Sequence, residues 1–405
     1  MKRLRNISLM LLAMVLLWRC GDKEQPGEGD VFMRIYGTDG DDKGFDVVQA
    51  ADGGFAVTGV LYSDSSDGNG QPLEGDIFLL RTNEFGEPLA YTKFANPGAD
   101  VAKELILLDD GGFLIAGEQS NGINGGVDMV AIRTDGSGAV VWQLQLGGSG
   151  DDYGSAVVQT GDGNWVFTGY SSSNTVGGNY DVIVMKLDND GNILLGNSVG
   201  SDEEERAFSA VATSDGGLAV SGLAVDTALG YQAVVWKLRD DLSLEWEYRQ
   251  GGPSEDKGYS IDLLSSGNLV FMGYTSDGGG YDLFVTELTA SGGVVSDTTF
   301  GGADYDRMLS QHVVQPTAGS LVGIAYTQSY GHGANDIYFY ELARTDAGYV
   351  LSGDEYYGGS NDDIGANIVA CQGGSLAIVG YSKSFTFEGK NDIVLLKVRA
   401  SGALE

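Results

Sequence analysis

The chain has 405 residues, of which 23 are basic, 57 acidic, 64 glycine and only 6 proline, for a formal net charge of −34. That balance excludes a nucleic-acid partner, because such binding begins with neutralised phosphates; a content of 42% hydrophobic and 10% aromatic residues excludes global disorder. Two cysteines cannot form a disulfide framework, and glycine far above its usual share of about 7% points to many tight turns rather than long helices.

At the start of the chain, Lys2, Arg3 and Arg5 precede an apolar run from Ile7 to Trp18, with Arg19-Cys20 behind it. A basic segment followed by so short an apolar run reads as an export signal over residues 1–19, since a membrane span needs about 20 apolar residues. The segment resembles a bacterial lipoprotein signal with Leu17 at −3 and Cys20 as the residue acylated; Trp18 and Arg19 stand where that pattern carries small residues. The alternative is an ordinary secretory signal cut nearby. Cleavage before Cys20 takes the charge from −34 to −38. Residues 20–30 then form the anchor and a polar, flexible tether, and their acidic character resembles the surface-export signals of some Gram-negative lipoproteins. The resemblance implies an outer-membrane lipoprotein, at the cell surface or in the periplasm. Cys371, in an apolar run, reads as a small buried hydrophobe.

From residue 31 onward the chain repeats itself. Gly-containing turns centred on Gly53, Gly111, Gly163, Gly216, Gly267, Gly319 and Gly374 are spaced 58, 52, 53, 51, 52 and 55 residues apart, which makes seven units of about fifty residues. Each unit holds a Gly-rich corner, a carboxylate, a mixed strand, the turn, and an apolar strand such as Trp165 to Gly169. The Asp-Gly turns predict type I′ hairpins. A loop of variable length leads to a third strand opened by Asp76, Asp128, Asp181, Gln232, Asp282, Asp336 or Asp392. These third strands (Ile77 to Leu80, Val182 to Met185, Ile393 to Leu396) are continuous apolar runs, which implies burial on both faces. A second turn, marked by Gly86, Gly138, Gly191, Gly292, Gly348 or Gly402 but by Leu242 in unit four, precedes a fourth strand.

Four-stranded units that bury both faces must stack on copies of themselves. Seven in a closed ring predict an all-β, seven-bladed β-propeller over residues 31–405. The last unit lacks a fourth strand, and residues 31–37 have the composition of one. They are predicted to complete the seventh blade beside residues 392–398, which removes the exposed edges of an open array. The repeat resembles that of exported bacterial propellers of the type G-G-x-x-x-D-x-G-x-x-[IV]-x-x-x-x-D-G-G-[FY], over nearly all of the chain after the tether. Asp135-x-x-Gly138-x-x-x-Trp142 is similar to the fourth-strand turn of quinoprotein-like propellers. The resemblance implies the fold and, for most members, no assigned activity.

In propellers the loops between strands two and three share a face with the corners. Here those loops vary, with 16 residues between Gly59 and Asp76, 11 between Gly169 and Asp181, and 8 between Gly273 and Asp282. Variable loops on a rigid scaffold make this the predicted binding face. Two constellations fall on it. Tyr170, Tyr274, Tyr326 and Tyr381 follow the second strand in four units and can either stack on sugars and anchor a protein or wedge between blades. Asp42, Asp100, Asp152, Glu205, Asp256, Asp306 and Asp363 supply one carboxylate per unit at the entry to the innermost strand. They either ring the channel mouth, where calcium is a conceivable ligand, or accept backbone N–H groups in their own corners. No other cofactor is implied. His312, in a predicted first strand, and His332, in a loop, lack neighbours that would suggest a nucleophile triad or a metal site.

The resulting expectation is a non-catalytic cell-envelope lipoprotein whose loop face binds a protein or a carbohydrate, meeting the membrane only through its anchor. The alternatives are an exported polysaccharide-acting enzyme that uses channel-mouth carboxylates, and a scaffold in an envelope assembly.

Overall fold

Glycine at a single left-handed position shapes the first hairpin of blades one to five; in blade six Gly319 is not left-handed, and in blade seven both Gly373 and Gly374 are. In blade one, the Gly53 N–H donates to Ala50 O (3.0 Å) and the Ala50 N–H to Gly54 O (2.8 Å), with Gly53 at φ +84°. Among the described residues Leu242 alone departs from the rule that positive φ belongs to glycine, so the preceding aspartates keep negative φ. The turns are therefore four-residue turns closed by a glycine bulge, not the type I′ turns expected. The aspartate instead fastens the turn from its side chain. Asp52 Oδ1 accepts the Gly54 N–H at 3.0 Å, and Asp110 Oδ1 accepts the Gly112 N–H at 2.9 Å.

The computed structural model describes residues 31–404, apart from 63–74, 97, 121–125, 174, 176–177, 277–278 and 387–388. The export signal of residues 1–19, Cys20 and the tether to residue 30 lie outside the described residues. Seven antiparallel sheets follow one another. Blade one runs Lys43–Gln49, Phe55–Tyr62, Gly75–Thr82 and Pro88–Phe94 from the inside outward. The third strands are buried almost throughout, whereas the outermost strand Ile193–Val199 of blade three is exposed until Val199.

Alternation along a third strand explains its continuous apolar run. Phe78 and Leu80 pack toward blade seven, with Ile393 and Leu395; Ile77 and Leu79 pack toward blade two, with Ile115 and Val130. The buried apolar side chains of the described residues divide into seven clusters, one for each seam between adjacent blades. Each large side chain buried in a seam contributes roughly 1.5–3 kcal/mol. The ring closes as expected: Phe32–Tyr36 pairs with Asp392–Val398 in the register Phe32↔Lys397 to Tyr36↔Ile393. Phe32 also meets Phe55 of blade one edge-to-face at 5.8 Å.

Blade six departs from the pattern. Its innermost strand is broken into Asp306–Arg307 and Val314–Thr317, both paired with Ser320–Thr327. His312 lies in the interruption rather than in a strand, because unit six carries two residues more than the straight strand can hold.

Candidate functional site

The seven corner carboxylates are all buried, at 0–1% exposure. Six accept a backbone N–H from their own corner or loop. Asp152 Oδ2 takes the Gly148 N–H (2.7 Å), Asp256 Oδ2 that of Gly252 (2.9 Å), Asp306 Oδ2 that of Gly302 (2.6 Å) and Asp363 Oδ2 that of Gly359 (2.8 Å). Asp42 accepts from Thr38 and Tyr62, and Glu205 from Ser201. Asp100 is held instead by the side-chain amides of Asn96 and Gln119, at 3.3 and 3.1 Å. Hydroxyls add further donors, as Ser173 does to Asp152 (2.7 Å) and Ser384 to Asp363 (2.6 Å). Burial pushes Asp100 up to about 6 and raises Asp42 and Glu205 as well. The corner glycine is required by close approach: a Cβ on Gly147 would collide with both Asp152 and Asp128, and one on Gly301 with Asp306 and Asp282. These buried carboxylates therefore fasten the corners between blades.

A β-bulge in the innermost strand of every blade but the sixth, as between Gly44 and Asp46 or Ala102 and Glu104, directs a different residue toward the neighbouring blade. Asp46 of blade one accepts the Leu105 N–H of blade two (2.7 Å), and Glu104 of blade two accepts the Val157 N–H of blade three (2.5 Å). Asn367 of blade seven donates to Asp46 at 2.6 Å. Burial, with the negative charge of Glu104, pushes Asp46 up to about 7. Across this layer runs the interrupted segment of blade six. Gln311 Nε2 donates to Ser155 O (2.9 Å) and Phe208 O (2.8 Å), and His312 meets Glu104 (3.1 Å) and Asp262 (3.3 Å). Burial disfavours the charged imidazole, but the two carboxylates outweigh it and hold the His312 pKa well above its ordinary value. The carboxylates sit on opposite ring nitrogens, so these donors do not converge on a cation. Among the described residues no group of three or more such side chains is arranged to hold a metal ion. His332 is a loop residue whose backbone N–H donates to Asp336 (2.6 Å).

The four tyrosines do not form one group. Tyr170 stacks on Tyr153 (4.8 Å) and meets Tyr180 edge-to-face (5.4 Å) in blade three. Tyr274 is buried and donates to Glu255 (3.2 Å). Tyr326 and Tyr381 line a common cleft of about 360 Å³ between blades six, seven and one, together with Lys43, Tyr305, Arg307 and Lys383. Burial pushes the Tyr381 hydroxyl up to about 12.

Cations missed by the sequence reading accompany these rings. The position after the corner carboxylate is Lys43, Arg206, Lys257 and Arg307 in blades one, four, five and six. Arg206 lies over Tyr170 (5.2 Å), Arg307 over Tyr281 (4.0 Å) and Lys43 over Tyr381 (5.1 Å), each ring belonging to the preceding blade. Such contacts are worth about 0.5–2 kcal/mol. Two of the four cations are neutralised: Arg206 by Glu204 (2.5 Å) and Lys257 by Glu255 (2.6 Å). The two that line the cleft, Lys43 and Arg307, have no carboxylate within ion-pair distance among the described residues.

Seven sheets in a closed ring, a crossed channel and a cleft at its mouth define a seven-bladed β-propeller. No protein-family model matches the chain, and no curated protein matches it. Solved structures are similar in fold. The WD40 domain of Pan2 from Neurospora crassa aligns with a TM-score of 0.52 at 11% identity, over 87% of this chain and 88% of that one. A protein of unknown function from Dyadobacter fermentans aligns with a TM-score of 0.48 at 10% identity, over 91% and 98%. Another, from Bacteroides caccae, aligns with a TM-score of 0.41 at 13% identity, over 71% and 91%. At these identities the likeness is one of fold alone.

Proposed function

We propose that the protein is a non-catalytic lipoprotein of the cell envelope, anchored through Cys20, whose propeller binds a protein or a carbohydrate with the face carrying the corners and the loops between strands two and three. The observation that carries this reading is the cleft at the channel mouth, where Tyr326 and Tyr381 are partly exposed on rigid strands beside cationic side chains. Rigid aromatic side chains with a polar edge are efficient contacts, since little rotamer freedom is lost on binding. A role of the corner carboxylates as acid and base gains no support from their burial, because corner and loop donors already occupy oxygens of each.

The soluble domain from residue 21 onward, applied to a glycan array and used as bait against an envelope extract, tests the binding role. Retention that is lost in Tyr326→Ala and Tyr381→Ala is the expected result; retention on neither arm overturns it. Release of the full-length protein from the membrane fraction by Cys20→Ser tests the anchor.

A further inference from the structure

Charge is distributed unevenly around the channel mouth. Cations are scarce in this chain, with 23 against 57 acidic residues, so a carboxylate is the ordinary neighbour of any of them. Arg206 and Lys257 have theirs two residues earlier in the same corner, at Glu204 and Glu255. In blade six the residue at that place is Tyr305, not an acid. In blade one it is Asp41, but its Oδ1 is taken by the backbone and side-chain N–H groups of Asn391, at 2.9 and 3.1 Å. Lys43 and Arg307 thus face one cleft without a carboxylate at ion-pair distance among the described residues; the Arg307 guanidinium is hydrogen-bonded to the Tyr326 and Tyr281 side chains, while its Nε is buried without a partner. Desolvation lowers the Lys43 pKa; the charge of Asp41, beyond ion-pair distance, opposes this only in part, and the nearby Lys383 and Lys103 add to the lowering. The third cation of the cleft, Lys383, is only loosely paired with Asp362, at 3.5 Å. An anion entering the cleft would relieve all three.

The remaining lining narrows the chemistry of that anion. Tyr305, Tyr326 and Tyr381 offer ring faces, and Asn391 Oδ1 offers a buried acceptor without a partner. The one carboxylate of the lining, Asp362, accepts from Asn335 at 2.7 Å and pairs with Lys383, and Gln328 donates to Asn335 at 3.1 Å, so the cleft keeps a surplus of positive charge and amides that can exchange these bonds for ligand hydroxyls. Aromatic faces suit the apolar face of a pyranose, amides suit vicinal hydroxyls, and the cations suit a carboxylate. A bidentate carboxylate is what a guanidinium fork matches best. The volume of about 360 Å³ lies at the small end of the range for ligand sites. We propose that this cleft is a binding site for an acidic carbohydrate, with Arg307 and Lys43 receiving the carboxylate of a uronic acid residue and Tyr381 and Tyr326 flanking its ring. The proposal rests on the reading of this face as the binding surface and names its ligand class.

Calorimetric titration of the soluble domain with hexamers of galacturonate, mannuronate, guluronate and glucuronate tests it, with the methyl-esterified galacturonate hexamer and a sulfated glycan as comparison arms. At least one uronate hexamer is expected to bind, and its ester at least about tenfold more weakly, since loss of a charged hydrogen-bond partner costs at least that factor. Lys43→Gln and Arg307→Gln are each expected to weaken uronate binding about tenfold or more. The Lys43 side chain makes no hydrogen bond or ion pair among the described residues, only its contact with the Tyr381 ring, so Lys43→Gln lowers stability by no more than that one cation–π contact and reports on the cleft even if Arg307→Gln disturbs the fold. No binding of any uronate hexamer, equal binding of acid and ester, binding confined to the sulfated glycan, or unaltered affinity in Lys43→Gln overturns the proposal. A neutral glycan or a protein that binds and is lost in Tyr381→Ala would overturn this ligand class while leaving the proposed binding role standing.

Discussion

His312 Nε2 of blade six stands 3.1 Å from Glu104 Oε1 of blade two, a contact across the channel rather than around the ring. Its other nitrogen meets Asp262 Oδ1 of blade five at 3.3 Å. A side chain that reaches blades on opposite sides acts as a cross-brace for a ring otherwise held only by seams between neighbours. Replacing it with alanine leaves Glu104 and Asp262 facing the channel with one partner fewer each. His312→Ala is therefore expected to destabilise the domain by about 1–3 kcal/mol, read from the urea midpoint. A midpoint equal to that of wild type would show that the brace carries no load.

The same contact sets the pH dependence. His312 has a raised pKa in the folded state, so its contribution is complete below about 6.5 and is lost as pH rises through the raised value. Asp46 and Asp100 are raised from 3.8 to about 7 and about 6, so the folded state retains protons that the unfolded chain releases near 3.8. That too lowers stability as pH rises, between about 4 and 7. The three contributions share a sign. The melting temperature is expected to fall steadily from pH 5 to pH 8, and the part above pH 7 should flatten in His312→Gln. A melting temperature that rose over this range would contradict the assignment.

The corner carboxylates make a prediction of the opposite kind, one of insensitivity. Asp152 accepts from Gly148, Ser171 and Ser173, which leaves little room for a cation. Transfer of the domain from chelator to millimolar calcium is expected to leave its melting temperature unchanged. Asp152→Ala, by contrast, strands the buried hydroxyls of Ser171 and Ser173 and the half-buried Gly148 N–H, and should cost several kcal/mol at about 1–3 kcal/mol per buried group. A calcium-dependent rise would make these residues cation ligands after all.

The blades were legible in the sequence because their signals are local. A turn glycine every fifty residues, a carboxylate eleven residues earlier and an apolar third strand each describe one unit, and the short Phe32–Tyr36 segment matched the strand missing from the last. The site was less legible because it is built between units. Tyr170 and Tyr381 hold equivalent positions in their repeats, yet only Tyr381 faces the cleft, since the neighbouring blades differ. Asp46 and Glu104 were missed because a bulge redirects them, and alternation carries no mark of a bulge. The channel crossing had a signal, the two extra residues between Asp306 and Gly319, but a length difference does not say which way a strand buckles. Lys43, Arg206, Lys257 and Arg307 were visible one place after each corner carboxylate; what unites them is the ring geometry.

Leu242 offers a test of local strain against burial. It occupies the fourth-strand turn where most units have glycine, at φ +62°, and its side chain is 1% exposed in the seam between blades three and four. A left-handed leucine costs roughly 1–2 kcal/mol, while deleting a buried leucine side chain costs about 2–5 kcal/mol. Leu242→Gly relieves the first and incurs the second, so a net loss of about 1–3 kcal/mol is expected. Chemical denaturation decides between the two: a stabilised variant would mean that backbone strain outweighs the seam.

Closure of the ring can be examined through one side chain. Phe32 is 7% exposed and belongs to the seam of blades seven and one, where it packs on Phe55 and shares a cluster with Leu395. If residues 32–36 latch the ring, Phe32→Ala opens a cavity at the latch and should cost about 3–5 kcal/mol, as for other buried aromatics. Leu194, on an outermost strand and 52% exposed, provides the control, with an expected change within about 0.5 kcal/mol for Leu194→Ala. Deletion of residues 31–37 goes further, because it bares the edge of Asp392–Val398 and the apolar seam behind it. That variant should bind a hydrophobic dye and aggregate, and a peptide of residues 31–37 supplied in excess should suppress both. Equal midpoints for Phe32→Ala and Leu194→Ala would mean that the seventh blade is complete without its N-terminal strand.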